Sequence, residues 1–154
     1  MKSVEKTPYY YWEGEFNDHL CDAIIQEGNT FTVEQATVDV DRDIQTNLRN
    51  GLVSWVHDNH WINGLVEQYV RRANELADWK FRIEGKEKIQ FGTYPKEAFY
   101  TWHRDCDVES DLYRKLSVTV QLTDPSTYLG GEFQIKGFST DDILINEALR
   151  KRGT

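Results

Sequence analysis

A chain of 154 residues with 39% apolar, 13% aromatic and 29% charged side chains has the length of one domain or part of one, and its composition excludes a disordered chain. Eighteen basic residues against 26 acidic ones leave a net charge of −8, the wrong sign for gripping a phosphate backbone, which argues against nucleic acid as a primary partner. No apolar run approaches the roughly 18 residues of a membrane span, and the first 16 residues carry no secretory core, so no membrane partner is expected and the default address is cytoplasmic.

No repeat, low-complexity tract or linker divides the sequence, and the expectation is a single unit. Asn17 or Asp18 can cap a short helix in which Leu20, Ile24 and Ile25 share a face, with Gly28 closing it in a left-handed conformation. Residues 31–40 alternate as a strand would, through Phe31, Val33, Val38 and Val40, and residues 51–56 read as another short strand. In residues 59–78 the set Trp61, Leu65, Val66, Tyr69, Ala73, Leu76 and Ala77 follows spacings of three and four, which predicts the longest helix, covering one face of a sheet.

Beyond residue 78 the texture becomes β-like: residues 79–83, 89–94, 99–105, 116–122 and 131–135 are short and rich in aromatic and β-branched side chains, with turn residues between them. Closely spaced antiparallel strands predict a sandwich or barrel. Residues 141–152 read as a short helix with Ile143, Leu144, Ala148 and Leu149 apolar. The resulting fold class is α+β, mainly β with flanking helices.

Chemistry concentrates at His103-Arg104-Asp105. Two residues apart on a strand, an imidazole and a carboxylate point to one face, about 7 Å apart at the backbone, and can grip one metal ion. With a second histidine such a pair makes the facial triad of non-haem Fe(II). The bland alternative is an exposed strand end with a surface His and Asp. Residues 116–122 alternate between an apolar face (Leu116, Val118, Val120, Leu122) and a polar one (Ser117, Thr119, Gln121), and a barrel that holds a polar ligand turns the polar set inward. His57 and His60 at the start of the long helix, and His19 in the first, are weaker ligand candidates with solvent-facing readings. Cys21 and Cys106 share no CxxC spacing and read as free thiols.

The runs Gln90-Phe91-Gly92-Thr93-Tyr94, Phe99-Tyr100-Thr101-Trp102-His103-Arg104-Asp105, Arg114-Lys115-Leu116-Ser117 and Leu122-Thr123-Asp124-Pro125-Ser126-Thr127-Tyr128-Leu129-Gly130-Gly131-Glu132-Phe133 together resemble the 2-oxoglutarate and Fe(II)-dependent oxygenases of prolyl 4-hydroxylase type, in particular the PKHD-type hydroxylases of bacteria and phages. The likeness is closest over residues 85–135. It implies a double-stranded β-helix, or jelly roll, over residues 1–154, with helical and strand support to about residue 80 and barrel strands from about residue 81. It implies His103 and Asp105 as metal ligands, and Tyr94, Tyr100 and Gln121 lining the cosubstrate pocket. The implied activity is hydroxylation of a C–H bond in a protein, peptide or small-molecule substrate, with Fe(II), 2-oxoglutarate, O₂ and ascorbate as the accessory reductant. Gly130-Gly131 matches a tight turn.

The pattern breaks after Asp105. The family places a histidine ligand and a 2-oxoglutarate-binding arginine downstream, whereas no histidine follows Asp105 here, and Arg150 and Arg152 read as charges favouring a helix C-terminus. The expectation is a fragment, a truncated reading frame or one half of a split protein, whose second chain supplies the missing His and Arg. The competing functional expectations are a catalytically inactive interaction domain of the same fold and another jelly-roll metalloprotein of cupin-like kind.

Overall fold

The computed structural model describes residues 8–36, 48–105, 114–136, 143–145 and 147–154. They form an α+β fold: a three-stranded antiparallel sheet, a two-stranded antiparallel ribbon, two α-helices and two 3₁₀ turns. The backbone groups into two compact units. One draws on the described parts of Met1–Gln26, Glu67–Arg82 and Val118–Thr154, the other on Glu27–Val66 and Ile83–Ser117. Among the described residues no helix is long and apolar enough to cross a membrane.

Helix α1 (Asp18–Gly28) starts where the sequence predicts. The Asn17 side-chain oxygen accepts from the Leu20 amide at 2.9 Å, satisfying one of the donors a helix start leaves open. Its inner face buries Cys21 and Ile24. Gly28 departs from expectation: the described glycines with left-handed φ are Gly14, Gly130, Gly131 and Gly153. A Cβ at Gly28 would come within 2.4 Å of the Phe91 ring, so the position needs glycine for close packing rather than for backbone freedom. Gly130 and Gly131, with φ of 75° and 70°, do make the tight turn the sequence predicts.

The sheet has the order β1 (Val33–Gln35), β2 (Leu52–Trp55), β3 (Gln90–Thr93), with Val33 opposite Ser54 and Ser54 opposite Phe91. Central β2 buries Val53 and Ser54, and Ala36, Val56, Ile62 and Phe31 complete the core of this unit. In the other unit the core is Phe16, Cys21, Ile24, Ala73 and Leu149.

Helix α2 (Trp61–Leu76) forms as the spacing predicts. Of the predicted stripe Ala73 is buried and Leu65, Val66, Tyr69 and Ala77 are half-buried, whereas its end residues Trp61 and Leu76 are 44% and 54% exposed, and Ile62, outside the predicted set, is buried. The Tyr69 ring packs edge-on against Trp12 and Phe16 at 5.2 and 5.1 Å.

Four predicted elements are replaced, the strand over residues 99–105 by an isolated bridge at Tyr100. Residues 79–83 form no strand, because the turn ending α2 takes their backbone groups: Trp79 and Lys80 amides donate to the Asn74 carbonyl, and the Asn74 side chain both accepts from the Phe81 amide and donates to its carbonyl, each at 2.9 Å. Residues 116–122 are not assigned as a strand; their backbone pairing is at Gln121, whose amide donates to Thr154 at 2.9 Å and whose carbonyl accepts from Gly153 at 2.7 Å. The helix predicted over 141–152 is instead strand β5 (Ile143–Ile145), paired with β4 (Gln134–Lys136), followed by a 3₁₀ turn over Glu147–Arg150. The open edge of β4 offers residues 143–145 a ladder of backbone bonds, and that tertiary pairing overrides the helical spacing.

Candidate functional site

The segment carrying the H-x-D residues is laid against residues 48–50. Asn50 donates to the Phe99 carbonyl, Thr101 donates to the Leu48 carbonyl, both at 2.9 Å, and Arg49 and Tyr100 form an isolated antiparallel bridge. Residues 101–105 are not strand, so the pair does not share a face by pleating as expected. It meets nonetheless: His103 Nε2 lies 3.2 Å from Asp105 Oδ1.

A stack holds the imidazole. The Tyr100 ring lies on His103 with centroids 3.6 Å apart and planes 11° from parallel, and the Arg49 guanidinium sits 4.6 Å from the Tyr100 centroid. Arg49 is buried and donates to Gln90 Oε1 at 2.9 Å, which ties the stack to β3. His103 Nδ1 faces the Thr101 carbonyl at 2.8 Å. The carbonyl and the carboxylate both only accept, so each ring nitrogen faces an acceptor, Nδ1 the Thr101 carbonyl and Nε2 Asp105. Arg114 NH1 lies 3.9 Å from the same Oδ1, while its Nε and NH2 donate to the two oxygens of Glu87.

These residues fit a divalent ion. Two neighbouring ligands about 2.1 Å from an octahedral ion stand about 3 Å apart, close to the separation between His103 Nε2 and Asp105 Oδ1. A hydrogen bond from the second ring nitrogen to a carbonyl is how ligand histidines are commonly oriented. The pair is also open to solvent, with 37% of the His103 and 47% of the Asp105 side-chain surface exposed.

Tyr100 therefore stands with the pair. Tyr94 is placed over Gly51, where a Cβ would come within 3.0 Å of its ring, and is 49% exposed. Gln121 belongs to the other unit, half-buried and held by its backbone bonds to Gly153 and Thr154. Trp102 is 54% exposed and Arg104 is exposed. Cys106 lies outside the described residues.

His19 is exposed on α1, and His57 and His60 have structural duties. His60 Nε2 lies 3.4 Å from Glu27 Oε2, the Phe31 ring packs edge-on to both His57 and His60, and Asn63 donates to the His57 carbonyl at 2.7 Å. This arrangement builds the start of α2. Among the described residues no group of three or more His, Cys, Asp or Glu side chains is placed to hold a metal. Arg152 does not serve a helix end: it donates to Leu122 O at 2.8 Å and pairs with Asp18 and Asp22 of α1, while Arg150 lies 5.1 Å over the Tyr128 ring. The Asp22 carboxylate beside it holds the Arg152 pKa above its usual value.

Sequence reasoning missed Arg49, Gln90 and Glu87. Gln90 opens one of the quoted motif runs, but Arg49 sits in a polar stretch with nothing to single it out. No protein-family model, curated protein or solved structure matches the chain.

Proposed function

We propose that the chain carries the His-x-Asp portion of a 2-oxoglutarate and Fe(II)-dependent oxygenase of prolyl hydroxylase type, built on a jelly roll and hydroxylating a C–H bond of a protein, peptide or small-molecule substrate. The observation that carries the reading is the His103 Nε2 to Asp105 Oδ1 separation of 3.2 Å, with Nδ1 engaged by the Thr101 carbonyl. Bound iron with 2-oxoglutarate and O₂ would supply the oxidising chemistry. What the chain's own residues do is geometric. The Thr101 carbonyl engages Nδ1 of His103, Tyr100 and Arg49 fix the plane of that ring, and Asp105 supplies a charged oxygen at the distance an adjacent ligand needs. The family's third ligand is a histidine beyond the H-x-D, and in this reading a second chain supplies it together with the arginine that holds 2-oxoglutarate.

A second reading has one observation behind it. The pair is exposed, and Phe99 and Trp102 in the same segment are 42% and 54% exposed, a surface suited to an interaction domain without catalysis. Succinate release from 2-oxoglutarate with added Fe(II) and ascorbate separates the two. The oxygenase reading expects succinate from the wild type combined with the second chain that supplies the missing His and Arg, and none from His103→Ala or Asp105→Ala in the same mixture. Equal release from all three, or none from a combined wild type shown to hold Fe(II), would remove it.

A further inference from the structure

Asparagine followed by glycine occurs twice in the chain, at Asn50-Gly51 and Asn63-Gly64. The dipeptide is reactive because the backbone nitrogen after an asparagine can attack the side-chain amide carbon, and a glycine, having no Cβ, puts nothing in the way. The fold treats the two copies differently. Asn63 is buried in α2, its Nδ2 donating to the His57 and His60 carbonyls at 2.7 and 3.2 Å and its Oδ1 accepting from Lys86, so helix and hydrogen bonds together hold the amide away from attack. Asn50 is exposed and lies between the bridge at Arg49 and the start of β2, in neither helix nor strand. Among the described residues no hydrogen bond holds its side chain or the Gly51 amide.

We propose that Asn50-Gly51 is a self-modification site whose product releases the segment that carries His103 and Asp105. The Gly51 nitrogen gives its proton to solvent base and bonds to Cγ of Asn50, and the side-chain nitrogen leaves as ammonia. Water then opens the cyclic imide at either carbonyl, giving aspartate or isoaspartate, so the net change is gain of water and loss of ammonia. Isoaspartate routes the main chain through the former side chain and lengthens it by a methylene. What gives way follows from the bonding on each side. Toward β2, the Gly51 carbonyl accepts from the Ala36 amide and from Gln35 Nε2, both at 3.0 Å, and Leu52, Val53 and Ser54 are paired on both edges. On the other side, residues 48–50 hold residues 99–101 by two backbone bonds, Asn50 to Phe99 and Thr101 to Leu48. The smaller ladder yields. The modification itself stands whatever His103 and Asp105 bind.

The test ages the full chain at mildly alkaline pH, folded and in urea, and reads it by peptide mass mapping, by isoaspartyl methyltransferase labelling and by hydrogen exchange at the Thr101 amide. The folded chain is expected to lose Asn50 while Asn63 persists, and the unfolded chain to lose both. After conversion the Thr101 amide is expected to exchange on the order of tenfold faster, as loss of its bond to Leu48 implies. Asn50→Gln aged alike, and Asn50→Asp, which adds the charge without the extra main-chain atom, are expected to keep the unaged rate. Equal survival of Asn50 and Asn63 in the folded chain would overturn the site. Thr101 exchange that is unchanged by conversion, or that rises as much in Asn50→Asp, would overturn the release of the segment.

Discussion

The Cys21 thiol is fully buried, its sulfur 3.7 Å from the Phe16 carbonyl oxygen, and burial pushes its pKa above the ordinary thiol value. Arg152 nearby pulls the other way and is outweighed. An unfolded chain releases this proton near the ordinary value of about 8.5, while the folded chain holds it longer. The stability that comes from burying a neutral thiol is therefore complete below about pH 8 and lost as pH rises through the folded pKa. Urea midpoints measured from neutral to alkaline pH should fall more steeply for the wild type than for Cys21→Ala; parallel curves would mean that the thiol titrates alike in both states. At this same scale the sequence is readable where the chemistry is local. His103 and Asp105 stand out because their types and spacing carry meaning, whereas Tyr100 stands out only through the family resemblance. Their support does not, since Arg49 and Gln90 are 41 residues apart and meet through the sheet. Gly28 shows the converse: glycine is visible in the sequence, but the Phe91 ring that demands it is not.

Helix α2 ends in a knot of bonds centred on one residue. Asn74 is buried, accepts two backbone amides at its carbonyl and brackets Phe81 with its side-chain amide, while Asp78 and Lys80 take left-handed φ of 55° to let the chain turn. Asn74→Ala strands the Phe81 amide and carbonyl without partners, at an expected cost of about 1–3 kcal/mol. Thermal or urea unfolding reads that loss; a variant as stable as the wild type would mean that water serves these groups equally well. This knot also explains which elements are readable. α1 and α2 follow from spacing and capping because their own residues satisfy them locally, and β2 and β3 from the β-branched and aromatic composition of their segments. Residues 79–83 have the composition of a strand, but the end of the preceding helix claims their backbone. Residues 143–145 have helical spacing, but the edge of β4 claims theirs. In both segments the deciding partner lies outside the segment, the Asn74 backbone and side chain in one and the β4 backbone in the other, which composition does not reveal.

Across the whole chain, the two compact units are woven from non-contiguous stretches, and the α+β class follows from the order of periodic segments in the sequence. The proposed jelly roll and the proposed oxygenase activity rest on the resemblance over residues 85–135, beside which the geometry sets a neighbouring His–Asp pair and a ring stacked on the histidine. A pair of ligands is a weaker grip than three, so the metal is the point at which the account is most exposed. Anaerobic Fe(II) titration by calorimetry addresses it directly, comparing wild type, His103→Ala and Asp105→Ala. The account predicts one Fe(II) per wild-type chain and loss of that binding in both variants. Binding that survives both substitutions, or a wild type that takes up no Fe(II), would contradict it.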